Sequence, residues 1–161
     1  MKSEAVKTLQ EFELDEDALM EWGKVVGSTA TVPLVVALRG DLGAGKTTFA
    51  RAVARGAGLV GPIPSPTYNL LFRYEAPRGI SFVHIDLYRL EHENDVWELG
   101  WSDLPGAGDM VVIEWPSRAE SLLPSPRWEL SFRETEDGEA RRIRLTPVGD
   151  PAMIPLPESR G

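Results

Sequence analysis

The sequence predicts an α/β fold, three layers deep (α/β/α), with a mostly parallel central sheet and a C-terminal β-hairpin. Three observations carry this expectation. Leu34-Val-Val-Ala-Leu38 is short, wholly apolar and rich in β-branched residues, the pattern of a strand buried on both faces. A glycine-rich turn and an amphipathic segment follow it, the order of a strand feeding a helix. Near the other end Trp128, Leu130 and Phe132 alternate, then Ile143 and Leu145, with Asp137-Gly138 between them as a hairpin signal.

The elements follow in order. Lys7 to Leu14 alternates loosely and reads as a first strand. Asp15 is suited to cap a helix over Glu16 to Val26, in which Ala18, Leu19, Trp22, Val25 and Val26 share one face. Trp22 is therefore read as core. After the Leu34–Leu38 strand and its turn, a helix is expected from Lys46 to Arg55, with Phe49, Ala50, Val53 and Ala54 inward and Gly56 and Gly58 to end it. Pro62, Pro64 and Pro66 make 61–67 an extended loop. Ile80 to Ile85 and Met110 to Ile113 have strand character, and the acidic run Glu91 to Glu98 between them reads as a short helix. No internal repeat or linker divides the chain. Residues 1–146 are expected to form one domain, and the Pro-rich segment 147–161 a flexible tail.

Composition narrows the function classes. The 161 residues are 42 % apolar, enough for a core without disulfides or a structural metal. With 25 acidic against 17 basic residues the formal net charge is −8, which argues against tight, direct binding to nucleic acid. The absence of cysteine excludes disulfides, a thiolate nucleophile and a Cys-based zinc site, and fits the cytosol. The first residues, MKSEAVKTLQ, lack the apolar stretch of a secretory signal, and Leu34–Leu38 is far too short to span a bilayer. A cytoplasmic protein is expected.

Gly40-Asp-Leu-Gly-Ala-Gly-Lys-Thr47 matches G-x-x-x-x-G-K-[ST] in full. Glycines let the backbone turn and approach phosphate oxygens without a Cβ in the way. Successive N–H groups then form an anion nest, and the following helix adds the positive end of its dipole. Lys46 places a charge on the β- and γ-phosphates, and the Thr47 hydroxyl is a hard oxygen suited to Mg2+. The fold expectation sharpens to a P-loop NTPase-like domain. The expected nucleotide contacts are Asp41, Leu42, Gly43, Ala44, Gly45, Lys46, Thr47 and Thr48, with ATP and Mg2+ as the ligands.

Two acids close apolar runs: Asp86 in Ser-Phe-Val-His-Ile-Asp86 and Glu114 in Met-Val-Val-Ile-Glu114. Ligands of open α/β sheets sit at the carboxyl ends of the strands, so both acids are expected at the phosphate crevice. One would serve the metal and the other the attacking water, and the residue pattern does not say which. Thr67, after the proline-rich loop, stands where GTPase-like proteins carry a γ-phosphate-sensing threonine. His84 shares a sheet face with Asp86 and reads as a half-buried structural histidine. Trp97, Trp101 and Trp115 read mainly as core, with a partner surface as the other reading.

Taken together these segments resemble the TsaE (formerly YjeE) family of bacterial ATPases required for making threonylcarbamoyladenosine (t6A) at adenosine 37 of tRNA. The resemblance runs from Asp15 to Leu145. It rests on GDLGAGKTTFAR from Gly40, SPTYNL from Ser65, HIDLYRL from His84, ELG at Glu98 to Gly100, and VIEWP from Val112. The resemblance implies that Lys46 and Thr47 are the family's P-loop pair, that Glu114 serves Mg2+, that Asp86 serves hydrolysis, and that Thr67 is switch-like. It also implies that Glu16 lies near the base, that Trp115 lies near the nucleotide, and that Arg141 or Arg142 reaches it from the hairpin. Family members act on a pair of partner proteins, TsaB and TsaD, and TsaD carries the tRNA-modifying site. The tryptophans flanking ELG depart from the pattern, and the tail after Pro147 has no counterpart.

An accessory ATPase, slow alone and dependent on partners, is the expectation. A small-molecule P-loop kinase is the first alternative, but 91–108 contains no Arg or Lys to build a lid. A nucleotide sensor without hydrolysis is the second, and it would gain nothing from Asp86.

Overall fold

The computed structural model describes residues 9–66 and 69–158. Seven strands form one sheet: β1 (Gln10–Asp15), β2 (Leu34–Arg39), β3 (Leu71–Glu75), β4 (Ser81–Asp86), β5 (Asp109–Glu114), β6 (Arg127–Glu134) and β7 (Ala140–Val148). Their spatial order is β1-β7-β6-β2-β5-β4-β3. The centre, β6-β2-β5-β4, is parallel, while β1-β7, β7-β6 and β4-β3 pair antiparallel. The sheet is thus mixed rather than mostly parallel. Hairpin-length connections force reversal between β3 and β4 and between β6 and β7, whereas parallel pairing needs a long crossover, and β1 pairs antiparallel with β7 from the opposite end of the chain.

Two α-helices, α1 (Glu16–Thr29) and α2 (Lys46–Gly56), cover one face. Asp15 caps α1 as its residue type suggests, its Oδ1 accepting from Ala18 N at 2.8 Å. The two helices approach so closely that a Cβ on Gly27 or Gly56 would lie 2.0 Å from a backbone carbonyl oxygen of the other helix. Trp22 packs on Phe49 with ring centroids 5.0 Å apart, and Phe49 meets Phe132 of β6. The core on this face takes Leu34, Val36 and Leu38 of β2 and Met110 and Val112 of β5. Val35, Val111, Ile113, Val83 and Ile85 supply the other face, as period-two alternation requires.

No α-helix covers that second face among the described residues. Its cover is 3-10 structure at Glu93–Leu99, Trp101–Asp103 and Pro116–Leu122. The expected acidic helix is therefore a 3-10 segment, stopped by Gly100 at φ +75°. Trp101 is core, its indole N–H donating to Leu122 O, while Trp97 is half exposed. Strand β3 has no counterpart in the sequence-based expectation; its alternation mixes half-buried apolar and charged residues, as an edge strand does.

Residue 147, where the tail was expected to begin, lies inside β7, which runs to Val148. Beyond it the chain lies on the body. Trp128 Nε1 donates to Ala152 O and Trp22 Nε1 to Pro155 O, both at 2.8 Å, and Ile154 is buried. The part of the expected first strand that includes Lys7 lies outside the described residues. No helix among them is long and apolar enough to cross a membrane.

Candidate functional site

Strands β2, β4 and β5 run parallel and end level with one another, with Leu38 beside Glu114 and Glu114 beside Asp86. Their carboxyl ends open into a cleft of about 440 Å3. The Gly-rich loop leaves β2 and wraps this edge. Gly40, Gly43 and Gly45 take φ of +145°, +77° and +107°. At Gly40 a Cβ would meet Phe132 O at 2.7 Å, so this glycine is required by a neighbouring strand as well as by the turn. Helix α2 then starts at Lys46 without a side-chain cap, and Lys46, Thr47 and Thr48 of its first turn line the cleft.

Glu114 is the centre of the polar network, and it is 2 % exposed. Its Oε1 accepts from the Thr47 hydroxyl at 2.8 Å, and its Oε2 lies 2.6 Å from His84 Nε2. His84 is expected to be half-buried and is instead almost wholly enclosed, at 1 %. The sequence reading puts His84 and Asp86 on one sheet face, and so they are. The contact to Glu114 needs the register between β4 and β5.

Asp86 accepts from Tyr88 N at 3.0 Å. Burial pushes its carboxyl above the ordinary aspartate range, the Tyr88 N–H opposes this, and the Glu114 charge adds to it. The Lys46 amine donates to Gly40 O, and to Asp41 O at 3.3 Å, and sits 3.7 Å from the centroid of the Trp115 ring. Burial lowers the Lys46 amine from the usual lysine value, against the pull of Glu114, Asp86 and Asp41. Trp115 holds φ +58°, unusual for a bulky side chain, and its ring meets Tyr88 at 5.0 Å.

Most of the expected site residues meet at this cleft. Leu42, Gly43, Gly45, Lys46, Thr47 and Thr48 line it from the loop and α2. Asp86, Glu114 and Trp115 line it from the strand ends, Glu16 from the start of α1 and Arg141 from the hairpin. Ala44 is buried behind the loop and offers its carbonyl to Arg141 Nε at 3.0 Å. Asp41 lies on the loop's other side, beside Phe132 and Arg133. Arg142, the other hairpin candidate, does not reach the cleft; strand alternation turns it towards Glu13, 3.7 Å away. Thr67 lies outside the described residues.

Sequence reasoning does not assign Ser65, Tyr88, Arg89 and Glu139, which also line the cleft. Tyr88 and Arg89 fall inside the HIDLYRL segment, and Glu139 follows the Asp137-Gly138 turn, so only their side-chain directions are missing. As a whole the cleft offers backbone N–H groups, the buried Lys46 amine and a hydroxyl–carboxylate pair over an apolar floor. That chemistry suits a polyphosphate anion with a hard cation.

A family model described as "Threonylcarbamoyl adenosine biosynthesis protein TsaE" matches residues 14–143. Among curated proteins, tRNA threonylcarbamoyladenosine biosynthesis protein TsaE of Treponema pallidum is 38 % identical over 73 % of this chain and 85 % of its own length. The protein of the same name from Nostoc is 37 % identical over 84 % of both chains, and that from Haemophilus influenzae 32 % identical over 87 % and 90 %. The crystal structure of YdiB from Bacillus subtilis superposes with a TM-score of 0.68 at 26 % identity, covering 89 % of this chain and 88 % of that one. The match spans the cleft from the cap of α1 to the hairpin, and the chain belongs to the TsaE family.

Proposed function

We propose that this protein binds ATP with Mg2+ in the cleft and hydrolyses it, as a cytoplasmic accessory ATPase for threonylcarbamoyladenosine formation on adenosine 37 of tRNA. The observation that carries the ATPase reading is the Thr47–Glu114 contact at the start of α2, 2.8 Å long, with Lys46 and Asp86 at the same cleft. The names of the relatives support the tRNA context.

The Gly43–Thr48 backbone cradles the phosphates at the positive end of α2. Lys46, released from the loop carbonyls, serves the β- and γ-oxygens. Thr47 Oγ1 and the Glu114 carboxylate are hard oxygen donors of the kind Mg2+ takes, and no group of three His, Cys, Asp or Glu among the described residues would hold a metal by itself. When bound there, Mg2+ neutralises charge developing between the β- and γ-phosphates. Asp86, made more basic by burial, orients the attacking water and takes its proton. The water oxygen bonds to the γ-phosphorus, the bond to the β–γ bridging oxygen breaks, and ADP leaves. Arg141, fixed to Ala44 and Gly43 carbonyls, holds the loop against the hairpin near the nucleotide.

The partners are a TsaB–TsaD pair, with tRNA reached through TsaD. The net charge of −8 suits a subunit that leaves the RNA to others. ATP hydrolysis by the chain alone and with that pair, with Lys46→Ala as control, tests the reading. Slow turnover should rise on adding the pair and vanish in the variant. Turnover indifferent to the pair would sink the accessory role, and turnover indifferent to Lys46 would sink the site.

A further inference from the structure

We infer that His84 is the positioning residue of the cleft: its buried imidazole clamps one oxygen of Glu114 so that the other faces Thr47 and the cation. The inference rests on the Mg2+–ATP reading above and names a residue that reading leaves without a task.

Three observations carry it. First, the two oxygens of Glu114 are divided between two partners, Oε2 to His84 Nε2 at 2.6 Å and Oε1 to Thr47 Oγ1 at 2.8 Å. A carboxylate on a flexible side chain has rotational freedom about its last bond, and a donor on one oxygen removes it. Second, His84 is shut off from solvent. It is 1 % exposed, next to Phe82 on one sheet face, with Val112 of β5 and Phe72 of β3 as its paired residues. A ring so placed reaches the cleft through the Glu114 carboxylate that it bonds.

Third, His84 Nδ1 is buried and finds no hydrogen-bond partner among the described residues. A purely structural histidine would be expected to bond through both nitrogens, since a buried polar atom left unmet is costly. Here the ring directs its hydrogen bond to the carboxylate. A carboxylate only accepts, so the 2.6 Å contact is made by an Nε2–H donating to Glu114. Partners of this kind typically set metal affinity by about 10–100-fold without touching the metal.

Glutamine and asparagine separate this from packing. In His84→Gln the side-chain amide can present a donor near the position of Nε2, whereas in His84→Asn it reaches only as far as Nδ1. His84→Leu removes the donor and keeps the volume apolar. Calorimetric titration of each folded variant with ADP, at a series of MgCl2 concentrations and without Mg2+, reads the two contributions separately. His84→Leu and His84→Asn should need about 10–100-fold more Mg2+ for the same ADP affinity. Without Mg2+, their ADP affinity should equal that of the parent. His84→Gln should restore the Mg2+ requirement to within roughly threefold, a margin well below the 10–100-fold loss expected of the other two.

Parent-like Mg2+ dependence in the Leu and Asn variants would overturn the inference, as would equal losses in the Gln and Asn variants. Should His84→Leu not fold, the Gln and Asn pair decides alone. If ADP binding by the parent protein ignores Mg2+, the Mg2+–ATP reading itself fails, and that outcome is visible before any variant is made.

Discussion

Replacing Glu114 two ways separates its hydrogen bonds from its charge. The side chain is 2 % exposed and accepts from His84 and from Thr47. In Glu114→Gln the amide oxygen can still accept from His84 Nε2. The amide nitrogen can donate to Thr47 Oγ1, because a hydroxyl rotates to accept. Both contacts survive, and the negative charge is lost. In Glu114→Ala no acceptor remains for the His84 N–H, while Thr47 can turn to solvent. Both variants shed the same buried charge, whose desolvation cost is therefore absent from the difference between them. What remains is one orphaned buried donor, about 1–3 kcal/mol, plus the smaller cost of an unfilled space. The Gln variant should be more stable than the Ala variant by roughly 2–4 kcal/mol, or about 4–16 °C in Tm for a chain of this size. Urea unfolding followed by circular dichroism measures the difference, and ADP titration with and without Mg2+ measures function. The Gln variant should keep its fold and lose most of the Mg2+-dependent gain in affinity. Equal stability of the two variants would refute the hydrogen-bond argument, and undiminished Mg2+ dependence in the Gln variant would refute the role given to the charge.

Three other expectations follow from the same geometry. Asp86→Asn keeps an acceptor for the Tyr88 N–H, now 3.0 Å away, and removes the base; ATP turnover should fall about 10²–10⁴-fold while ATP affinity in a binding titration hardly moves. Gly45→Ala would hold an alanine at φ +107° with its Cβ 3.1 Å from Leu19, so urea unfolding should show a loss of about 1–3 kcal/mol together with weaker nucleotide binding. At Asp109 burial would raise the carboxyl, but Arg73 at 2.7 Å and the Gly106 N–H outweigh it and hold the group below the usual range. A folded value below the unfolded one gives stability that is present above about pH 4 and lost as pH falls through the folded value. Asp109→Asn should therefore be less stable than the parent at neutral pH, with the gap closing in acid; a gap unchanged down to about pH 2 would contradict this.

Much of the site is legible in the sequence because its chemistry is local there. The loop, the cap at Asp15 and the acids ending β4 and β5 are each set by adjacent residues, and each stands where its pattern puts it. What the pattern lacks is partner strands. Period-two alternation puts His84 and Asp86 on one face, but only the β4–β5 register sets His84 against Glu114. Alternation likewise separates Arg141 from Arg142 without saying which of them faces the cleft. Strand β3 is hard to see because Arg73 and Glu75 interrupt its apolar residues, and a half-exposed edge does not need a continuous apolar run. The tail along α1 depends on two indole N–H groups finding carbonyls far along the chain, a tertiary match that composition does not carry. The acidic run expected as a short helix is a 3-10 segment because Gly100, in the left-handed region at φ +75°, stops it after Leu99.

The register also explains why the site's electrostatics are strong. Two successive rows cross the parallel strands on the face that carries the helices. The inner row is Val36, Val112 and His84; the outer is Leu38, Glu114 and Asp86. Along each row β2 is apolar, and polarity appears only towards β4. Leu38 and Val36 are needed under α2, where the loop and helix seal the sheet, so no polar group can stand there without a partner. The acids occupy the strands just beyond that seal. They stand on an apolar floor that excludes water from below and face the cleft above. In such a setting a charge acts at lower effective dielectric than on the surface, which strengthens its pull on a bound cation and also raises the cost of holding it unpaired. The Thr47 and His84 donors meet that cost at Glu114, while Asp86, which accepts from the Tyr88 N–H, is the carboxyl that burial pushes upward. One sheet edge thus carries a carboxylate held by two side-chain partners and, beside it, a carboxyl that burial pushes upward, a difference set by which donors the neighbouring strand and helix reach.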